Sequence, residues 1–130
     1  MADDLLQVAR AAREQAHAPY SKFKVGAAVR GESGHIYSGC NVENAAYPEG
    51  TCAETSAIAA MVLAGESKII ELLVLGVSKE PVTPCGGCRQ RIREFAAPDT
   101  PIHIATPDGV LLTMTLGELL PQSFGPDNLP

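Results

Sequence analysis

The chain has 130 residues, enough to bury one hydrophobic core and too few for two comfortable ones, so a single domain over residues 1–130 carrying a single site is expected. An apolar fraction of 45% with 19% charged residues excludes the disordered class, and a net charge of -5 opposes a polyanion, which argues against nucleic acid as a partner. No segment reaches the roughly 18 to 20 apolar residues of a membrane span, and the opening MADDLLQVAR is acidic where a signal peptide is basic, so a soluble, cytoplasmic protein with no membrane partner is expected.

Taken in chain order, residues 3–16 place Leu5, Leu6, Ala9, Ala12, Arg13 and Ala16 at steps of three and four, an amphipathic helix that Pro19 ends. Residues 23–30 and 35–39 flank the turn sequence GESG and read as a hairpin. Residues 52–64 are almost continuously apolar and rich in alanine, with Gly65 placed as a stop, which predicts a buried helix. The run ELLVLGV at 71–77 does not alternate, as expected of a central strand covered on both faces. A helix over 86–96, strands over 101–105 and 110–114 around Pro107-Asp108-Gly109, and a short helix over 115–120 complete the order αββαβαββα. That order favours an α/β fold, a three-layer α-β-α sandwich around one mixed sheet of about five strands.

Four cysteines in a cytoplasmic chain are metal ligands, reactive thiols or small buried residues in preference to disulfides. Cys52-Ala53-Glu54 opens one helix and Pro84-Cys85-Gly86-Gly87-Cys88 opens the next. Two such N-termini facing each other would gather three thiols, and their dipoles would favour the thiolate form that binds zinc. Three protein ligands, Cys52, Cys85 and Cys88, leave a fourth tetrahedral position open for water, the arrangement of a catalytic Zn2+ centre. Water bound to zinc has its pKa lowered to roughly 7, and Glu54, two residues from a ligand, is placed to move its proton without coordinating the metal. Zinc deaminases of nucleobases combine these parts: a Cys₃ or His/Cys₂ zinc, a glutamate that is not a ligand and a P-C-x-x-C element. Three plainer readings compete: a thiol-redox pair from C-x-x-C alone, a structural zinc with Cys40 as fourth ligand, and Glu54 as a carboxylate favoured by a helix dipole.

Over nearly its whole length the sequence resembles the small, homotetrameric, three-cysteine cytidine deaminases, in APYSKFKVGAAV (18–29), GCNVENAAYPEGTCAE (39–54), TPCGGCRQ (83–90), REFA (93–96) and LLPQSFGPDNL (119–129). The resemblance implies a cytidine deaminase-like fold and hydrolysis of free cytidine, and of deoxycytidine, to the uridine product and ammonia, in pyrimidine salvage. It implies that Phe23 packs along the pyrimidine, that Asn41 and Glu43 hold the ribose hydroxyls, and that the Ala53 N–H meets the base carbonyl. Carbonyls near Thr83 and Pro84 would receive the departing amine. Read by periodicity alone, Phe23 also fits an ordinary core position, Asn41 a turn and Phe124 an anchor for the tail. The resemblance instead sends Phe124 into a neighbouring subunit's site and puts the segment around Ala45 and Tyr47 at a shared boundary, so that a homotetramer would build its sites jointly.

One position departs from the family pattern: Thr55 stands where an arginine usually donates to the ligand sulfurs. Three thiolates on a dication carry a net negative charge, so compensation is expected from helix dipoles, from Thr55 Oγ or from Arg89. The rival activities are deamination of a blasticidin-like antibiotic, against which Asn41 and Glu43 argue, a silent zinc or thiol-redox module, and a polynucleotide editor, against which the acidic charge argues.

Overall fold

The computed structural model describes residues 2–130. The elements are α1 (Ala2–Glu14), β1 (Gly26–Gly31), β2 (Ile36–Cys40), α2 (Ala53–Leu63), β3 (Ile69–Leu75), α3 (Gly86–Phe95), β4 (Pro101–Thr106), β5 (Gly109–Thr115) and α4 (Leu116–Leu119), in the expected order. Two 3₁₀ turns, Tyr47–Glu49 and Pro126–Asn128, lie in the segments before α2 and at the tail. One mixed sheet runs β2-β1-β3-β4-β5, antiparallel throughout except for β3 beside β4.

Alternation along the strands builds two cores. Ala27, Val29, Leu72, Val74, Ile102 and Ile104 face Ala57, Ile58 and Met61 of α2, Ile92 of α3 and Leu116 of α4. Ala28, Leu73, Leu75 and Ala105 face the other way, against Leu5, Leu6 and Ala9 of α1. A sheet covered on both faces by apolar helix stripes is the α-β-α sandwich the sequence predicts.

Two strands differ from the sequence reading by more than one residue at an end. The first strand starts at Gly26 and not at residue 23, because Asn41 takes over the backbone partners there: Val25 N donates to Asn41 Oδ1 and Asn41 Nδ2 to Phe23 O, each at 2.8 Å. The central strand lies two residues earlier than 71–77: Ile69 pairs with Gly31 across a bulge, while Val77 leaves the sheet and is exposed.

What matters for the site is direction. Both β2 and β3 run antiparallel to β1, so their carboxyl ends lie at the same end of the sheet. The segments that lead into α2 and α3 both depart from that end. Strand β2 also lies close under α2: a Cβ on Gly39 would fall 2.3 Å from Ala57 N and 2.6 Å from Ala53 O, an approach only glycine permits.

Candidate active site

The two cysteine motifs become the N-termini of the two neighbouring helices. Cys52 caps α2 and Cys85 caps α3, each in extended backbone with no side-chain cap bond, and Cys88 sits in the first turn of α3. The Sγ atoms of Cys52, Cys85 and Cys88 lie within 4.8 Å of one another, with Cys52 and Cys85 at 3.9 Å. Zinc–sulfur bonds of about 2.3 Å in tetrahedral array require sulfurs about 3.8 Å apart, so the three thiols fit the ion in spacing as well as in chemistry. Cys40, the alternative fourth ligand, is outside this group, which favours a three-thiol site over a closed four-cysteine one.

The thiols share their protons unequally. Cys52 is held down to about 6, first by a hydrogen bond from Cys88, then by Cys85 and by the charge of Arg91, against the opposing effect of burial. Cys88 is pushed up by the bond it makes to Cys52 and by burial. The physical content is one thiolate solvated by neighbouring S–H groups, the form that accepts a metal cation. Thr55 Oγ1 lies 3.9 Å from Cys88 Sγ, within sulfur hydrogen-bond range.

Glu54 is 4% exposed in the first turn of α2. Burial raises its carboxyl to about 7 and the nearby Cys52 charge adds to this, while hydrogen bonds from its own amide and from Cys88 oppose it. A carboxyl poised near neutrality can both take and give a proton at physiological pH.

These groups open onto a cleft of about 330 Å³ whose walls include Phe23, Asn41, Glu43, Cys52, Ala53, Glu54 and Cys85. Its size suits a small ligand. The first amides of α2 have no helical acceptor, so the Ala53 N–H is available to a ligand oxygen. Thr83 reaches the wall as well, whereas Pro84 O already accepts from Arg89 Nε at 2.7 Å.

Not every expected residue faces this cleft. Phe124 is 58% exposed and absent from its wall; the tail is tied to α3 where Gln90 Nε2 donates to Phe124 O at 2.9 Å. Arg89 donates to Pro84 O, Leu119 O and Thr83 Oγ1, and among the described residues it makes no hydrogen bond to a ligand sulfur.

Sequence reading also missed Ser21. Its amide and that of Tyr20 donate to Glu43 Oε1 at 3.0 Å, its hydroxyl donates to Glu43 Oε2, and Phe23 N donates to Ser21 Oγ at 3.0 Å. The Ser21 hydroxyl is the main cause of a Glu43 carboxyl held below its ordinary range. The available signal was the Pro-Tyr-Ser turn, whose hydroxyl is suited to bonding backbone two residues on.

Residues 1–104 match the cytidine and deoxycytidylate deaminase zinc-binding region. The chain is 42% identical over 127 residues to a cytidine deaminase of Sporosarcina psychrophila, covering 98% of this chain and 93% of that one. It is 37% identical over 125 residues to the cytidine deaminase of Halalkalibacterium halodurans, covering 96% and 95%. The crystal structure of cytidine deaminase from Burkholderia pseudomallei superposes with a TM-score of 0.88 at 40% identity, over 93% of this chain and 97% of that one. With this match in sequence and fold, and three thiols spaced for zinc, the chain belongs to the zinc-binding cytidine and deoxycytidylate deaminase family.

Proposed function

We propose that this single-domain protein hydrolyses free cytidine, and deoxycytidine, to the corresponding uridine nucleoside and ammonia. The observation that carries the reading is a buried carboxyl, Glu54, beside three thiols spaced for zinc, on a cleft that also holds Phe23, Asn41 and Glu43. Cys52, Cys85 and Cys88 hold the ion, which when bound supplies Lewis-acid activation of water.

Glu54 then does the proton work. It accepts a proton from the attacking water, whose oxygen adds to C4 of the cytosine ring, and passes that proton to N3. The remaining hydroxyl proton goes by way of Glu54 to the amine, which leaves as ammonia when the C4–N bond breaks, so water and cytidine are fully accounted for. The Ala53 N–H receives the base carbonyl, and Phe23 packs along the ring. Asn41 and Glu43 take the ribose hydroxyls; an analogue lacking the sugar would leave these polar groups unpaired. That requirement also disfavours an antibiotic with an altered sugar.

The same reading makes the enzyme a cytoplasmic homotetramer of pyrimidine salvage, with Phe124 of one subunit and the segment around Ala45 and Tyr47 completing a neighbour's site. Support for the tail's role is its exposure away from its own cleft. Among the described residues no helix is long and apolar enough to cross a membrane.

The test is the initial rate of uridine formation from cytidine by zinc-loaded protein, with Glu54→Gln in parallel. Turnover that falls by about 10²- to 10⁴-fold in the variant, with zinc content unchanged, supports the assignment. A folded, zinc-loaded wild type that leaves cytidine untouched overturns it.

A further inference from the structure

Glu43 faces the cleft, yet most of its carboxylate is engaged from behind. Its backbone is anchored where Glu43 N donates to His17 O at 2.8 Å. Its side chain meets a turn over 18–22, which Lys22 N closes onto Ala18 O at 3.0 Å. From that turn the amides of Tyr20 and Ser21 both donate to Glu43 Oε1, and the Ser21 hydroxyl donates to Oε2. An ionised carboxylate offers about four acceptor positions, shared equally between its oxygens. The two amides therefore fill Oε1, and among the described residues Oε2 keeps one position for a ligand.

The Ser21 hydroxyl bonds in both directions. While it donates to Glu43 Oε2 it accepts from Phe23 N at 3.0 Å, so two walls of the cleft are joined through one oxygen. Ser21 itself lines an adjoining cavity, which shares Glu43, Tyr47 and Gly50 with the cleft. Between Ser21 and Phe23 the chain passes through Lys22 at φ 62°, a left-handed backbone that a residue with a Cβ adopts at a cost. The bond from Phe23 N to Ser21 Oγ spans that residue and holds the turn closed.

We propose that Ser21 is a positioning residue for sugar recognition: its hydroxyl aims the open acceptor position of Glu43 Oε2 into the cleft and fixes that oxygen relative to Phe23, so that the sugar and the base of one nucleoside are met together. Ser21 acts through Glu43 and touches no substrate. Without the hydroxyl, Glu43 keeps its amide bonds on Oε1 but can turn about them, and the substrate must then order the carboxylate at a cost in affinity. The turn is exposed, so water replaces the lost bonds and the fold is little affected.

The proposal rests on the nucleoside reading of the cleft, and the experiment separates the two. The specificity constant kcat/KM is measured for cytidine and for dideoxycytidine, which lacks both hydroxyls of the sugar ring, with zinc-loaded wild type, Ser21→Ala and Ser21→Thr. The ratio of the two constants is the readout, because a change in the fraction of active enzyme or in the seating of the base divides out. In Ser21→Ala the preference for cytidine should fall about 5- to 20-fold, carried by KM for cytidine more than by kcat, with the thermal midpoint near that of wild type. Ser21→Thr keeps the hydroxyl and should hold the preference within about threefold of wild type. A wild-type preference in Ser21→Ala, or a loss that the threonine variant shares, overturns the role of Ser21 and leaves the nucleoside reading standing. A wild type that uses both substrates equally takes Glu43 away from the sugar and the role of Ser21 with it. One that leaves cytidine untouched overturns the proposed function as well.

Discussion

Asn41 Oδ1 accepts from Val25 N while Asn41 Nδ2 donates to Phe23 O, both at 2.8 Å, so one carboxamide fixes the backbone on either side of the aromatic ring that walls the cleft. The same side chain that the family reading sends to the ribose is thus also the strut of the segment that presents Phe23. Asn41→Ala removes both bonds and leaves a backbone N–H and C=O without partners. It should cost about 1–3 kcal/mol in urea unfolding and raise KM for cytidine about tenfold with a smaller fall in kcat. An unchanged KM in a folded variant would remove Asn41 from the recognition of substrate.

Arg89 holds three acceptors at once, Pro84 O at 2.7 Å, Leu119 O at 2.8 Å and Thr83 Oγ1 at 3.2 Å. The planar fork of a guanidinium can span them and a lysine cannot. Arg89→Lys should therefore lower the stability of the metal-free protein by about 1–3 kcal/mol and loosen the turn that carries Cys85. Thermal unfolding and chelator-driven release of zinc would measure the two effects.

Gly39 seats the first turns of α2. Ala at this position would drive a methyl to 2.3 Å from Ala57 N, so the helix bearing Glu54 and following Cys52 must move away from β2. The expected result is a loss of about 1–3 kcal/mol from overpacking together with a fall in kcat of about 10²-fold, since small misplacements of catalytic groups are costly. Full activity in Gly39→Ala would show that α2 tolerates the shift.

Glu66 provides a pH test remote from the site. Its carboxylate accepts from Ser33 Oγ at 2.6 Å, from Ser33 N at 2.9 Å and from the Tyr37 hydroxyl, and these bonds, the Ser33 hydroxyl first, hold it down to about 2 from the ordinary 4.5. A carboxylate with a depressed folded-state pKa stabilises the protein above its unfolded value and loses that contribution as pH falls through the folded value. The difference in urea midpoint between wild type and Glu66→Gln should accordingly be constant above about pH 5.5 and shrink between about pH 4.5 and 2. A difference that grows in acid would contradict the assignment.

The sequence by itself determined the order of elements, because each strand and helix of the two cores carries its own periodicity: Leu5, Leu6 and Ala9 mark one stripe of α1, and the unbroken apolar run ending β3 marks a strand covered twice. It also determined which residue types could carry metal chemistry, since two cysteine motifs at helix starts are a local pattern. What only the tertiary structure decided is what those residues meet. Cys52 and Cys85, 33 positions apart, come within 3.9 Å because β2 and β3 end at the same edge of the sheet. Arg89, Arg91 and Arg93 look alike in sequence, yet one braces a loop, one lies over Gly87 and one secures the tail. A similar divergence covers the open part of the α1 face, where Asp4, Arg30, Glu71, His103 and Thr113 form a polar chain across four strands. Propensity and periodicity are properties of neighbours along the chain. Proton sharing, charge balance and hydrogen bonding depend on distances of a few ångströms between groups far apart in sequence, and packing alone sets those distances.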